Sequence, residues 1–401
     1  MRVFTRGVTG AAAILSFAAI GFTATAEASE PVANWQETAV KSFRGLEGTT
    51  KSQGLASDGS QMYFSWNFGL HSTGLEMDPP NLAENQVAIP QDLSLQGANH
   101  IGDIDYYDGT IYAPIEDGHV YLHPTIVPFD AQTLEAGPER YPLDTSKLTD
   151  GVPWIAIDAD RQVAYTTTWN ETTSLNVHRL SDFAITSTVQ LDQPVSRIQG
   201  AKVYKGNLYA ARDNGPEKSI IAIDPTTGHV THLFDRNLGD QDEAEGIAFV
   251  KNSGGTTMRT TDIVESDGSR VDVHSYRING DVTPPVLTSR GVVRKRVYGT
   301  NARIRVTSSE PVTANAGWLR CIGARKHPCR RTREMGPVPL PGGDSIQAGK
   351  SIVSVPCLKT YAPKTGSLPP GFYRLKITPT DVADAVGPTI TETIHVLWHK
   401  H

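Results

Sequence analysis

The chain has 401 residues, 38% of them hydrophobic and 20% charged, with a formal net charge of −6. That composition excludes a disordered chain, and the length allows two sizeable cores. The overall charge hides an asymmetry: residues 29–281 hold 17 Lys+Arg against 36 Asp+Glu, and residues 282–401 hold 18 against 6, so an acidic segment precedes a basic one.

The N-terminus reads as a leader. Arg2 and Arg6 precede an apolar run, Val8 to Ile20, and Ala26-Glu27-Ala28 is a small-x-small cleavage site. This pattern predicts a signal peptide over 1–28, removed from a secreted, extracellular product. The apolar run is too short to cross ~30 Å of hydrocarbon, and no second run reaches that length, so no membrane span is expected.

A phrase then recurs five times, opening at Gly54, Gly102, Trp154, Gly200 and Gly246. Each copy is a short apolar strand, a polar turn and a second strand with aromatic or apolar residues. Gly102-Asp-Ile-Asp-Tyr-Tyr-Asp-Gly-Thr-Ile-Tyr112 is one example, and Gly200-Ala-Lys-Val-Tyr-Lys-Gly-Asn-Leu-Tyr209 is another. A period in the forties with strand–turn–strand content predicts the blades of a β-propeller over residues 29–281. Five copies favour five blades. The alternative is a sixth, degenerate blade assembled from residues 29–50 and 256–278, where Arg270–Ile278 alternates like a half-buried strand.

Asp224-Pro-Thr-Thr-Gly228 forms a turn between two strands: Pro presets the backbone and Gly permits the positive φ that closes it. This Ile-Asp-Pro-Thr-Thr-Gly hairpin resembles those of bacterial quinoprotein-like and lactonase-like propellers, over roughly residues 50–280. The resemblance marks architecture more than activity.

Thr283-Pro-Pro-Val286 predicts a boundary, because two prolines cannot join a sheet ladder and stiffen the link. Strand patterns follow at 302–307, 351–355, 372–378 and 391–396, arguing a β-sandwich over 282–401. The Thr-Pro-Pro-Val opening and Gly371-Phe-Tyr-Arg-Leu-Lys-Ile-Thr-Pro-Thr-Asp381 resemble bacterial immunoglobulin-like domains, although Val382-Ala-Asp-Ala385 departs from that family's usual continuation. Residues 320–350, rich in Arg, Pro and Gly, read as an insertion. The expected fold is therefore all-β: a β-propeller followed by an immunoglobulin-like β-sandwich.

Cys321, Cys329 and Cys357 all lie in the basic segment. Export permits a disulfide, and one bridge leaves one Cys over. Spacing does not choose among the pairings; the lean is towards a bridge using Cys357, which would tie distant strands. Arg294, Lys295 and Arg296, with Arg320, Arg325, Lys326, Arg330, Arg331 and Arg333, predict a surface for an anionic cell-wall polymer or for docking on the acidic segment. No aromatic-rich motif accompanies the basic run, so no specific nucleic-acid recognition is expected.

In a propeller, the residues at the start of each inner strand line one mouth of the central channel. Here they are Gln53, Asn99, His100, Asp103, Trp154, Arg197, Gln199, Glu243 and Glu245. Asp103 and Asp105 are two apart on a strand and face one side; with Glu245 they are candidate ligands for Ca²⁺. Glu243-Ala-Glu-Gly-Ile-Ala-Phe249 is similar to the Glu-Gly opening of calcium-dependent lactonases and phytase-like propellers, where that Glu contacts the metal. Asp103 and Glu245 are the candidate acid and base, with Glu116 and Asp158 as further carboxylates and His100 as a base. Gln53, Trp154, Arg197 and Gln199 are the candidate substrate contacts, with Trp66 as a second platform for a sugar ring. Two function classes follow. One is a calcium-assisted hydrolase of a sugar, lactone or phosphate ester. The other is a non-catalytic protein that binds an extracellular glycan or small molecule and adheres to the cell wall through its basic part.

Overall fold

The computed structural model describes residues 32–397 except 253, 266–269, 282, 295, 299–300, 323–328, 330, 339, 341–344 and 362–363. The leader at 1–28 and Lys295, Arg325, Lys326 and Arg330 lie outside the described residues. The protein is nearly all β, and among the described residues no helix is long and apolar enough to cross a membrane.

Residues 35–278 form five antiparallel sheets, numbered I to V here. Sheet I holds Leu55–Ser57, Gln61–Trp66, Gly69–Gly74 and Ala83–Asn85. Sheet II starts with His100–Ile101 and Asp105–Tyr107, both paired to Thr110–Glu116, and continues through Thr125–Asp130 and Tyr141–Pro142. Sheet III is Ala156–Asp158, Val163–Thr166, Thr172–Arg179 and Ile185–Val195. Sheet IV is Ile198–Tyr204, Asn207–Asn214, Glu217–Ile223 and Val230–Asp235. Sheet V is Glu243–Asn252, Gly255–Val264 and Arg270–Ile278, completed by the N-terminal strand Trp35–Arg44. That strand runs antiparallel to Arg270–Ile278, with Trp35 opposite Ile278 and Arg44 opposite Arg270. The material expected for a sixth sheet therefore finishes the fifth: those N-terminal residues meet their hydrogen-bond partners only in the last repeat.

The first strand of each sheet touches that of the next, and the first strand of sheet V returns to that of sheet I. The arrangement is propeller-like. Its core is a series of apolar layers between adjacent sheets. One joins Tyr63, Ile101, Ile111 and Phe129, and another joins Trp154, Leu175, Ile198 and Ile221.

The recurrent glycines have a packing reason. A Cβ on Gly54 would lie 2.6 Å from Asp103 Cα, and one on Gly246 would lie 2.8 Å from both Gly54 Cα and Asp103 Oδ1. The first strands approach one another too closely there for any side chain. The turns follow their sequence. Asp108-Gly109 has φ of 47° and 80°, as a two-residue hairpin turn needs. Asp224 Oδ1 accepts the Thr226 N–H at 2.8 Å, and Gly228 closes that turn at φ 76°.

Residues 287–397 bury a separate apolar cluster around Trp318, Tyr373, Ile304, Val355 and Ile394. A three-stranded sheet is made of Leu287–Val292, Asn301–Ser308 and Gly349–Pro356. A larger sheet runs in the order Arg296–Tyr298, Ile390–Leu397, Gly371–Thr380, Val312–Ile322, Arg331–Val338. All four strand patterns read from the sequence fall inside these strands. The segment expected to be an insertion instead supplies Arg331–Val338, which pairs with Val312–Ile322. Its first four residues, Arg331 to Glu334, are all exposed, so no apolar stripe announced it.

The disulfide joins Cys321 to Cys329, and Cys357 is free and buried. This overturns the lean towards Cys357. That thiol packs in the apolar cluster, while Cys321 sits at the end of a strand beside its partner.

Candidate functional site at the mouth of the ring

The ring is closed at its axis by an ion pair. Asp103 is fully buried, and its Oδ2 lies 2.6 Å from Lys202 Nζ, itself 3% exposed. Asp103 Oδ1 accepts the Leu55 N–H at 2.8 Å, and Oδ2 accepts the Ala201 N–H at 3.1 Å. One side chain of sheet II thus ties sheets I and IV across the centre. Burial pushes the Asp103 carboxyl up to about 7, against the opposing pull of Lys202. Asp105 is also turned inward: Oδ2 accepts the Ile157 N–H of sheet III at 2.8 Å, and Oδ1 its neighbour Tyr106 N–H at 2.8 Å. Burial raises this carboxyl as well. Asp105 and Lys202 line a cavity of about 140 Å³ with Ala56, Ile157 and Ala248, so each of the five sheets contributes.

The other mouth is different. Gln53 Oε1 lies 2.8 Å from His100 Nε2, and His100 Nδ1 lies 3.3 Å from Glu116 Oε1, though not aligned as a hydrogen bond. Glu116 is 1% exposed. Its Oε2 accepts the Val152 N–H at 2.6 Å, and its Oε1 accepts the Trp169 indole N–H at 3.4 Å. The Arg197 guanidinium stacks over the Trp169 ring at 4.9 Å. Arg197 is left-handed at φ 61°, held by its N–H to the Trp169 carbonyl at 2.6 Å and by the Asp213 N–H to its own carbonyl at 2.8 Å. Gln53, His100, Glu116, Trp169 and Arg197 thus make one connected row across sheets I to IV. It borders a cavity of about 270 Å³ that Asn99, Phe68 and Tyr121 also line. Burial and the nearby Glu116 raise the Tyr121 phenol.

Sheet V closes this side with Glu243 and Glu245, where the strand bulges between Ala244 and Ile247. The Gly246 N–H donates to the Gln53 carbonyl at 2.8 Å, which ties the backbone of this bulge to Gln53. Glu245 is buried and Glu243 exposed. Burial, then Glu243 alongside, holds the Glu245 carboxyl well above the usual range.

No family model matches this chain, and no curated protein matches it either. Among solved structures, the hydrazine synthase of Kuenenia stuttgartiensis overlaps 65% of this chain and 76% of its own, at 12% identity and a TM-score of 0.34. A nidogen/laminin complex chain overlaps 60% of this chain and 86% of its own, at 15% identity and a TM-score of 0.34. Neither likeness bears on the chemistry of the mouth.

Of the residues expected at the mouth, Gln53, His100 and Arg197 come together there. Gln199 is half-buried at a bulge in the strand Ile198–Tyr204. Trp154 is a correction: it is fully buried in the layer between sheets III and IV and presents no face to a ligand. Asp158 is another, since it caps its own hairpin, accepting the Arg161 N–H at 3.0 Å and pairing with that guanidinium at 2.7 Å. Trp66 meets Phe68 edge-on at 5.6 Å. Asp103, Asp105 and Glu245 do not bring one oxygen each within 4.8 Å; Lys202 already answers the Asp103 charge, so the expected Ca²⁺ set is not assembled. With its carboxylate bonded on both oxygens, Asp103 is likewise not placed as an acid or base.

No motif in the sequence marks Trp169, and nothing near Glu116 in the chain order points to its partners. The signal available was the turn after each second strand: Asn67-Phe68, Asp117 to Tyr121 and Trp169-Asn170 all return to the mouth where the first strands begin.

Proposed function

We propose that the protein binds a saccharide at the mouth cavity lined by His100, Glu116 and Trp169, which Gln53 and Arg197 contact at either end. The observation that carries this is the connected row itself. An aromatic ring at its edge, a buried carboxylate, an imidazole and an amide offer a flat apolar face beside fixed acceptors and donors, which is what a sugar ring presents in complement. The test is titration calorimetry against a glycan panel, with Trp169→Ala and Glu116→Gln as variants. A saccharide that binds the wild type and binds each variant at least ~10-fold more weakly supports the reading. Silence across the panel, or binding that neither variant changes, sinks it.

One observation favours a second reading, hydrolysis of the bound sugar. Glu245 is buried against Glu243 with its carboxyl raised well above the usual range, the direction a general acid needs. Release of new reducing ends, lost in Glu245→Gln, would support hydrolysis over simple binding.

The same reading takes the five sheets as the blades of a five-bladed propeller, with the N-terminal strand closing the last. The strands after 287 then form an immunoglobulin-like sandwich, supported by the parallel pairing of Arg296–Tyr298 with Ile390–Leu397. It takes the product as exported through its leader. The exposed Arg294, Arg296, Arg320, Arg331 and Arg333 side chains supply the surface for an anionic wall polymer. One contact joins an acid of the basic part to the acidic part: Asp384 accepts from Tyr204 Oη at 2.7 Å and lies 3.4 Å from Lys205.

A further inference from the structure

Three carboxylates converge where the chain leaves sheet V. Asp281 follows the turn Asn279-Gly280, Glu310 follows the strand Asn301–Ser308, and Asp381 follows the strand Gly371–Thr380. One oxygen from each lies within 4.8 Å of the other two. Asp381 is 4% exposed. Its Oδ1 accepts the Ala385 N–H at 2.8 Å, while Oδ2 is buried with no hydrogen-bond partner. Asp281 Oδ1 accepts the Thr283 N–H at 2.8 Å, and Glu310 Oε1 accepts only a long bond from Ser309 Oγ at 3.5 Å. Among the described residues, none of the three makes an ion pair with Lys or Arg.

Three like charges that close, one of them buried with an orphan oxygen, repel one another unless a cation or protons intervene. The donors are all hard oxygens from three separate chain segments, an adaptable set that suits the larger, less geometrically demanding Ca²⁺ better than Mg²⁺. We propose that Asp281, Glu310 and Asp381 bind one Ca²⁺ that clamps the segment leaving sheet V to the C-terminal sheets. The clamp sits beside an existing contact: the Thr256 N–H of sheet V donates to the Ala383 carbonyl at 2.8 Å. Burial and the neighbouring acids raise both the Glu310 and Asp381 carboxyls.

The test is calorimetric titration of the full chain with CaCl₂ after chelation, paired with thermal melting with and without the ion. The expected result is one site with a Kd of ~0.1–1 mM, as in extracellular modules, and a melting temperature raised by about 10 mM Ca²⁺. Glu310→Gln and Asp281→Asn, both at partly exposed positions, should weaken binding at least ~10-fold while the protein without Ca²⁺ melts as the wild type does. Trp169→Ala at the mouth should leave the titration unchanged. No heat and no melting shift up to about 10 mM overturns the proposal. So does a response that both carboxylate variants retain, or one that Mg²⁺ matches.

Discussion

Lys202 Nζ stands 2.6 Å from Asp103 Oδ2 at the centre of the ring, and neither residue is more than 3% exposed. Asp103 reads as a candidate acid in the sequence, and the fold supplies its charge with this partner. Removing one partner strands the other charge in the interior. Lys202→Met and Asp103→Ala are each expected to lower the unfolding free energy by about 3–5 kcal/mol. Urea denaturation checks this; a loss under about 1 kcal/mol would mean that the pair is not holding the axis.

Crowding at the same point gives a second expectation. A Cβ on Gly246 would meet the Gln53 carbonyl at 2.6 Å, and one on Gly200 would meet Asp103 Oδ2 at 2.7 Å. Gly246→Ala should cost about 1–3 kcal/mol by forcing the first strands apart. Gly74→Ala is the control, because a Cβ there meets nothing within 4 Å. Equal denaturation midpoints for the two variants would show that the strands can yield.

Acid should weaken the protein through His71. Its imidazole is 1% exposed and stacks on Phe64 with centroids 4.9 Å apart; burial, and then the Lys51 ammonium, push it down to about 3. The unfolded chain takes up this proton below its ordinary value of 6.5, while the folded chain does not until about 3. Stability therefore falls as pH drops through that window, by about 2–3 kcal/mol at a pH two units below the ordinary value. Melting curves across the window should show the slope in the wild type and a shallower one in His71→Phe.

Cys357 should be unreactive in the native state. It is 3% exposed, and burial pushes its thiol up to about 11, so little thiolate exists at neutral pH. Mass spectrometry after iodoacetamide should find no adduct on the folded protein and one adduct in denaturant without reductant. Two labelled cysteines in that second sample would mean that Cys321 and Cys329 are not bridged.

Strand content and the five-fold repeat were legible because they rest on local signals. Asp108-Gly109 and Asp224 to Gly228 dictate their own turns, and alternation in 302–307 and 372–378 marks a half-buried strand wherever it is placed. Gln53, His100 and Arg197 were found at the mouth for a related reason: the repeat fixes where every first strand begins. Trp154 was misplaced by the same logic, since a position in the repeat says nothing about which way a ring turns.

The repeat by itself thus determined that short strands follow one another in units of constant length, because turn chemistry and the two-residue alternation act within a few residues. What each polar group does was decided only in three dimensions. Asp103 finds its lysine almost a hundred positions further on, and Trp35 finds Ile278 at the far end of the ring. Desolvation, close approach and charge pairing depend on neighbours that the linear order keeps far apart.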